Sequence, residues 1–149
     1  MTPKEQNDYF YVCSLIEYIA RKTKNKRGTI VNLLGKKGIE KQLYDAEVNH
    51  CLSFDQVSDE LIEFYNIPEG DFDTISTCKY TVPNFMDIGK LYSIMIEDCA
   101  EEGKEVDELI RIFSSFIPGI LHWIFYLCFR YDRRRHFYFT LQSFLGLLL

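Results

Sequence analysis

The sequence predicts an all-α protein, an orthogonal bundle of about five to six helices with a short irregular or extended connector near residues 66–83. Two observations carry the prediction. Apolar residues return at three- and four-residue spacing in one segment after another, which places them on one face of a helix. Residues suited to helix ends, Thr29, Gly35, Ser53 and Asn84, stand where that periodicity starts or stops, and the stretch 66–83 lacks it.

Taken in order, residues 5–24 align Tyr9, Val12, Cys13, Ile16, Ile19 and Ala20 as one face of an amphipathic first helix. The cations that follow, before Gly28 breaks the pattern, complement its C-terminal dipole. Thr29 is the expected cap of a short second helix, TIVNLL, which Gly35 ends by taking positive φ. A third helix is expected from about Gly38, with Ile39, Leu43, Ala46 and Cys51 inward. Ser53 and Gln56 stand in capping-box register at the head of SFDQVSDELIEFY. NIPEGDFDTISTCKYTVP then reads as a turn and connector with room for a short β segment. Asn84 caps FMDIGKLYSIMIEDCA, whose inward residues are Phe85, Ile88, Leu91, Tyr92, Met95, Ile96 and Cys99. A last periodic segment begins near Val106, with Leu109, Ile110 and Phe113.

The chain has 149 residues, enough for one domain that buries a core without metal or disulfide staples. Its 26% charged and 47% hydrophobic residues set it apart from disordered sequences. A net charge of −5 excludes a surface built throughout to neutralise phosphates, since that affinity rests on clustered Lys and Arg. Five cysteines, Cys13, Cys51, Cys78, Cys99 and Cys128, form no CxxC pair and read as buried thiols in a reducing compartment. The opening MTPKEQNDYFYVC lacks the basic and apolar runs of a signal peptide, so the expected location is cytoplasmic.

Composition divides the chain into an expected helical domain, 1–116, and an apolar tail, 117–149. Up to residue 112 there are 21 acids, 10 lysines and 3 arginines, whereas 113–149 holds one acid, Asp132, no lysine and four arginines. Three accounts compete. Residues 112–129 are eighteen without a charge, followed by Arg130, Arg133, Arg134 and Arg135, which suits a membrane-associated segment with a cytoplasmic C-terminus. Against this stand Ser114, Ser115, Pro118, Gly119 and His122 within the run. The second account is a helical hairpin closing the core, because aromatic stripes belong to cores more often than to anything else. The third is a shifted reading frame, for which loss of lysine and gain of arginine is the signature.

Motifs with chemical meaning are sparse, and no cofactor or metal is expected. GKKG at 35–38 lacks the strand and spacing of a P-loop and reads as a helix end with a short turn. His50 and Cys51 are adjacent on a helix and so do not face each other, which favours a core cysteine beside an exposed or capping histidine over a nucleophile and base. Glu69, Asp71 and Asp73 alternate like metal ligands without the rest of a calcium loop, and a solvated turn is expected. Glu97, Asp98, Glu101 and Glu102 read as a solvated face at a helix end. The candidate contacts are the cations Arg21, Lys22, Lys24, Lys26, Arg27, Lys36, Lys37 and Lys41, eight within 21–41 against the single acid Glu40. Around two short helices they resemble the flanks of a helix-turn-helix, where cations meet phosphates. Lys24→Glu with Arg27→Glu is the variant expected to abolish such binding.

FYVCSLIEYIARK at 10–22, LLGKKGIEKQLYD at 33–45, and NHC followed by VSDELIEFY at 49–65 resemble a bacterial family of small helical domains catalogued only as of unknown function. The resemblance covers residues 9–66. It implies a small intracellular helical protein with an accessory or antitoxin-like role, and it supplies no catalytic residue. Together these readings point to an interaction or regulatory module without enzymatic activity and with an unknown protein partner. The alternatives are a membrane-anchored accessory protein inserting 112–129 and a nucleic-acid binder using 21–41.

Overall fold

The computed structural model describes residues 1–73, 75–76 and 82–115. It is all-α, with five helices: α1 (Pro3–Thr23), α2 (Arg27–Asn49), α3 (Phe54–Phe64), α4 (Phe85–Cys99) and α5 (Glu105–Ser114). α1 is the axis of the bundle, packed against α2, α3 and α4, while α5 closes on α2 and α4. The rest of the tail expectations, a hairpin or a shifted frame over 117–149, lie outside the described residues.

α1 starts earlier than its apolar stripe suggests. Thr2 Oγ1 accepts from Glu5 N at 3.3 Å and Glu5 Oε2 accepts from Thr2 N at 2.7 Å, a capping box with Pro3 in the first turn. The whole expected stripe is buried, and so are Tyr11, Ser14, Leu15 and Glu17 on other faces. A helix enclosed in this way must partner its polar groups. Ser14 Oγ donates to Phe10 O and Thr23 Oγ1 to Ile19 O, both at 2.8 Å. Ser14 also meets Gly89 where α1 and α4 cross, so closely that a Cβ on Gly89 would lie 2.6 Å from Ser14 N.

α2 carries two corrections. Its N-cap is Lys26 and Thr29 lies exposed within the first turns, because Arg27 is drawn toward Glu17 of α1 and begins the helix there. Gly35, at φ 64° and ψ 174°, breaks the helix as expected, but residue 36 resumes it at once. Ile30, Val31 and Leu34 are buried before the break and Ile39 and Ala46 after it. Cys51 is exposed, against expectation, because α2 stops at Asn49 with His50 as its cap and the inward stripe ends with it.

Ser53 Oγ accepts from Gln56 N at 3.1 Å to start α3, and Asn84 Oδ1 accepts from Met86 N at 2.9 Å to start α4. Between them the described part of the connector contains no strand. It leaves α3 through Asn66 at φ 49°, buries Ile67, and docks by Gly70 N to Thr23 O and Phe72 N to Lys24 O, each 2.8 Å. α4 faces the core with Ile88, Leu91, Tyr92, Met95 and Ile96, and Cys99 is half-buried at its end. α5 stacks Phe113 on Tyr92, ring centroids 4.1 Å apart. Ser115 then turns extended and its hydroxyl caps Ile112 O.

That ending bears on the proposed membrane run 112–129. Ile112 and Phe113 are fully enclosed in the bundle, so the first residues of the run belong to the core of α5. Among the described residues no helix is long and apolar enough to cross a membrane. Residues 116–129 of the run lie outside the described part.

Candidate interaction surface

The eight cations of 21–41 separate into three groups. Arg21 and Arg27 converge on Glu17, whose side chain is 1% exposed while theirs are 15% and 13% exposed. Arg21 Nε donates to Glu17 Oε1 at 2.6 Å, Arg27 Nη2 donates to the same oxygen at 3.0 Å, and Arg27 Nε donates to Glu17 Oε2. Arg21 Nη2 also donates to Pro83 O at 2.9 Å, tying α1 to the segment that enters α4. Burial disfavours the Arg27 charge, yet its bonds to Glu17 outweigh that and hold its pKa above the usual value. The guanidinium lies 5.9 Å from the Tyr92 ring centroid. Tyr92 Oη is fully buried beside this guanidinium, and burial pushes its pKa up. These two arginines are largely enclosed and bound to Glu17.

The second group is paired at the surface. Lys22 Nζ reaches Asp55 at 2.6 Å and Asp59 at 2.7 Å across the α1 and α3 contact. Lys36 joins Asp107 of α5 at 2.7 Å, and Lys41 joins Asp45 one turn along α2. Hydrogen bonds to these carboxylates raise the pKa of each lysine. Such pairs contribute little stability, but they reduce the free positive charge. The third group is Lys24, Lys26 and Lys37, exposed and without an ion pair among the described residues. Lys24 takes the left-handed C-cap of α1 and Lys26 sits 5.4 Å from the Phe72 ring centroid. The turn that separates the two helices of a helix-turn-helix is three to four residues, and here the break is Gly35 alone. The sequence cluster is therefore not one basic face.

A different stretch presents charge outward. From Glu60 to Ile75 the acids Glu60, Glu63, Glu69 and Asp71 are exposed and form no ion pair among the described residues. The same stretch carries exposed apolar side chains: Phe64 at 74%, Ile75 at 47% and Phe72 at 43%. The expected solvated turn at 69–73 is present, and its last acid has a structural task. Asp73 Oδ1 accepts from Ile75 N at 2.9 Å and Ser76 N at 3.0 Å, while Ser76 Oγ donates to Asp73 Oδ2. Those bonds, the Ser76 hydroxyl first, lower the Asp73 pKa to about 2. On α2, Tyr44 and Val48 are also outward, at 86% and 69% exposure, one turn apart.

The remaining candidates resolve simply. His50 caps α2 with its ring 4.5 Å from that of Tyr11, and exposed Cys51 follows it in the chain. Tyr11 continues into a ring cluster with Phe54, Tyr18 and Phe85, centroids 4.9–5.8 Å apart from ring to ring. Among the described residues no group of three or more His, Cys, Asp or Glu is arranged to hold a metal ion. The signal for the buried Glu17 was present as Glu17 and Arg21 at i,i+4; nothing in the sequence indicated Arg27 as the third member. No protein-family model matches the chain, and no curated protein or solved structure matches it either.

Proposed function

We propose that the chain is a non-enzymatic interaction module that works by docking a protein partner, in a regulatory, accessory or antitoxin-like role. The observation that carries this reading is the outward placement of Phe64, Tyr44 and Val48 at 74%, 86% and 69% exposure on a bundle whose core is filled without them. Aromatic side chains supply large contact area at low entropic cost and are enriched at protein interfaces. The arginines of the sequence cluster support the same reading by their occupation elsewhere. Nucleic-acid binding would rest on Lys24, Lys26 and Lys37, which among the described residues lack the acid partners that engage the other five cations.

The test compares the full chain with a variant carrying Tyr44→Ser, Val48→Ser and Phe64→Ser in affinity capture from the source cells. A protein recovered in stoichiometric amount by the first and lost by the second is the expected result. Equal recovery by both, or recovery of no protein, overturns the reading.

A further inference from the structure

The uneven fate of charge on this molecule identifies one surface more closely. Five of the eight cations in 21–41 are engaged by acids of the same chain, two of them by the buried Glu17. The four acids Glu60, Glu63, Glu69 and Asp71 have no such counterpart among the described residues, although Lys24 and Lys26 lie on the adjoining turn. Like charges gathered on one short stretch repel one another and generate a negative potential that attracts a cation. Such a concentration costs folding free energy and persists here beside exposed Phe64, Phe72 and Ile75.

The backbone beneath these side chains is fixed in place. Ile67 is 6% exposed and anchors the middle of the stretch. Asn25 Nδ2 donates to Pro68 O at 2.7 Å, Gly70 N and Phe72 N bond to the end of α1, and Asp73 closes the far end as a turn. An aromatic side chain on a fixed backbone loses less freedom on binding than one on a free loop.

We propose that the acidic and aromatic surface spanning Glu60, Glu63, Phe64, Glu69, Asp71 and Phe72 docks a cationic, amphipathic segment of a partner protein. The inference rests on the protein-interaction reading above and specifies its face and its partner. The Phe64 ring takes the apolar side chains of the partner, the Phe72 ring, which Lys26 approaches, borders it, and the acids guide and register the partner's Lys or Arg residues. The same acids repel nucleic acid and anionic membrane surfaces, so the charge selects a basic polypeptide.

The experiment places a photoreactive benzophenone amino acid at position 64 of the full chain and, separately, at position 44, and irradiates the source cells. Peptide mapping of the adducts then reads the chemistry of the captured segment. Capture at position 64 by a Lys- or Arg-rich segment, reduced about tenfold when Glu60→Gln, Glu63→Gln, Glu69→Gln and Asp71→Asn are combined, is the expected result. The helical circular-dichroism signal of that variant is expected to match the parent, since the four carboxylates are exposed and none has an ion pair among the described residues. Capture at position 44 alone leaves the interaction reading standing and overturns this surface. Capture at position 64 by an acidic or uncharged segment, or capture indifferent to the four substitutions, overturns the partner chemistry. Adducts at neither position overturn both readings.

Discussion

Residues 21–41 and residues 60–75 are charge-rich stretches of opposite sign, and the bundle treats them in opposite ways. Of the first stretch, Arg21 and Arg27 are folded inward onto Glu17 and Lys22, Lys36 and Lys41 are tied to Asp55 and Asp59, Asp107 and Asp45. Of the second, Glu60, Glu63, Glu69 and Asp71 stay in water beside Phe64 and Phe72. A run of charge in a sequence therefore measures potential for recognition only after internal pairing has been subtracted. Here subtraction removes most of the cationic stretch and leaves the acidic one intact.

The largest expected effect tests whether the cationic stretch is structural. Glu17→Ala leaves two guanidinium groups enclosed without their carboxylate, and is expected to destabilise the fold by about 3–5 kcal/mol in chemical denaturation. Replacing all three charges together, Glu17→Leu with Arg21→Met and Arg27→Leu, should recover most of that loss, since a packed apolar triad avoids the desolvation of a buried ionic one. If Glu17→Ala left the denaturation midpoint unchanged, Arg21 and Arg27 would be free for a ligand after all. The same geometry disqualifies Arg27→Glu as a binding test, because it sets a second carboxylate against Glu17 in the core. Lys24→Glu, Lys26→Glu and Lys37→Glu together test phosphate contacts without that confusion.

A second prediction concerns the axis that both stretches flank. Gly89→Ala would press a methyl group against Ser14 N and Cα at the crossing of α1 and α4. Alanine favours a helix over glycine by about 1 kcal/mol, and overpacking costs roughly 1–3 kcal/mol. The clash is with backbone and cannot be relieved by a rotamer change, so a net loss of stability is expected by thermal or chemical unfolding. A gain would mean that the crossing is looser than the geometry states.

How far these features were legible in the sequence follows from the range of the interactions that create them. The stripe of α1, most of those of α4 and α5, the Ser53 and Asn84 caps and the Gly35 break depend on neighbours within about one helical turn and are present in the structure, although Phe85 and Ile110 are only half-buried and Ile112 joins the core in the α5 stripe. Thr2 and Glu5 carried the signature of a cap as well, with Pro3 between them, so the start of α1 was readable. Long-range pairing was not. Arg27 joins Glu17 ten residues away through a turn whose geometry no periodicity encodes, and this displaced the start of α2 from Thr29. Cys51 was misread for a related reason: its spacing fits the stripe, but α2 ends before reaching it. Which acids remain unpaired was equally invisible, because it depends on which cations the tertiary structure brings near.

The acidic stretch makes a pH prediction with a definite sign. Asp73 is held at about 2 in the folded protein by the Ser76 hydroxyl and the Ser76 and Ile75 amides, below the ordinary value of 3.8. A carboxyl whose folded pKa is depressed adds stability above its unfolded pKa and loses that stability as the pH falls through the folded one. The turn at 73–76 should thus hold at neutral pH and loosen between about pH 4 and pH 2. Amide hydrogen exchange at Ile75 and Ser76, corrected for the intrinsic rate, would show falling protection across that window. Asp73→Asn should remove the pH dependence at those two amides. Unchanged protection down to pH 2 would sever Asp73 from the order of the segment.

The smallest effect on stability belongs to the residue given the largest part in recognition. Phe64 is 74% exposed, and its ring meets Tyr65 edge-on with centroids 5.0 Å apart. Surface substitutions away from core, caps and buried networks usually change stability by less than about 0.5 kcal/mol, so Phe64→Ser should leave the unfolding midpoint nearly where it was. A side chain that costs nothing to remove from the isolated fold, yet abolishes capture of a partner when removed, separates binding from stability within one substitution. A substantial loss of stability in Phe64→Ser would instead assign the ring to the packing between α3 and the Gly38 turn, through Tyr65, whose hydroxyl already lies against Gly38. The exposed aromatic would then belong with Glu17 among the residues that build the bundle, and the contrast between the two stretches would narrow to their charges alone.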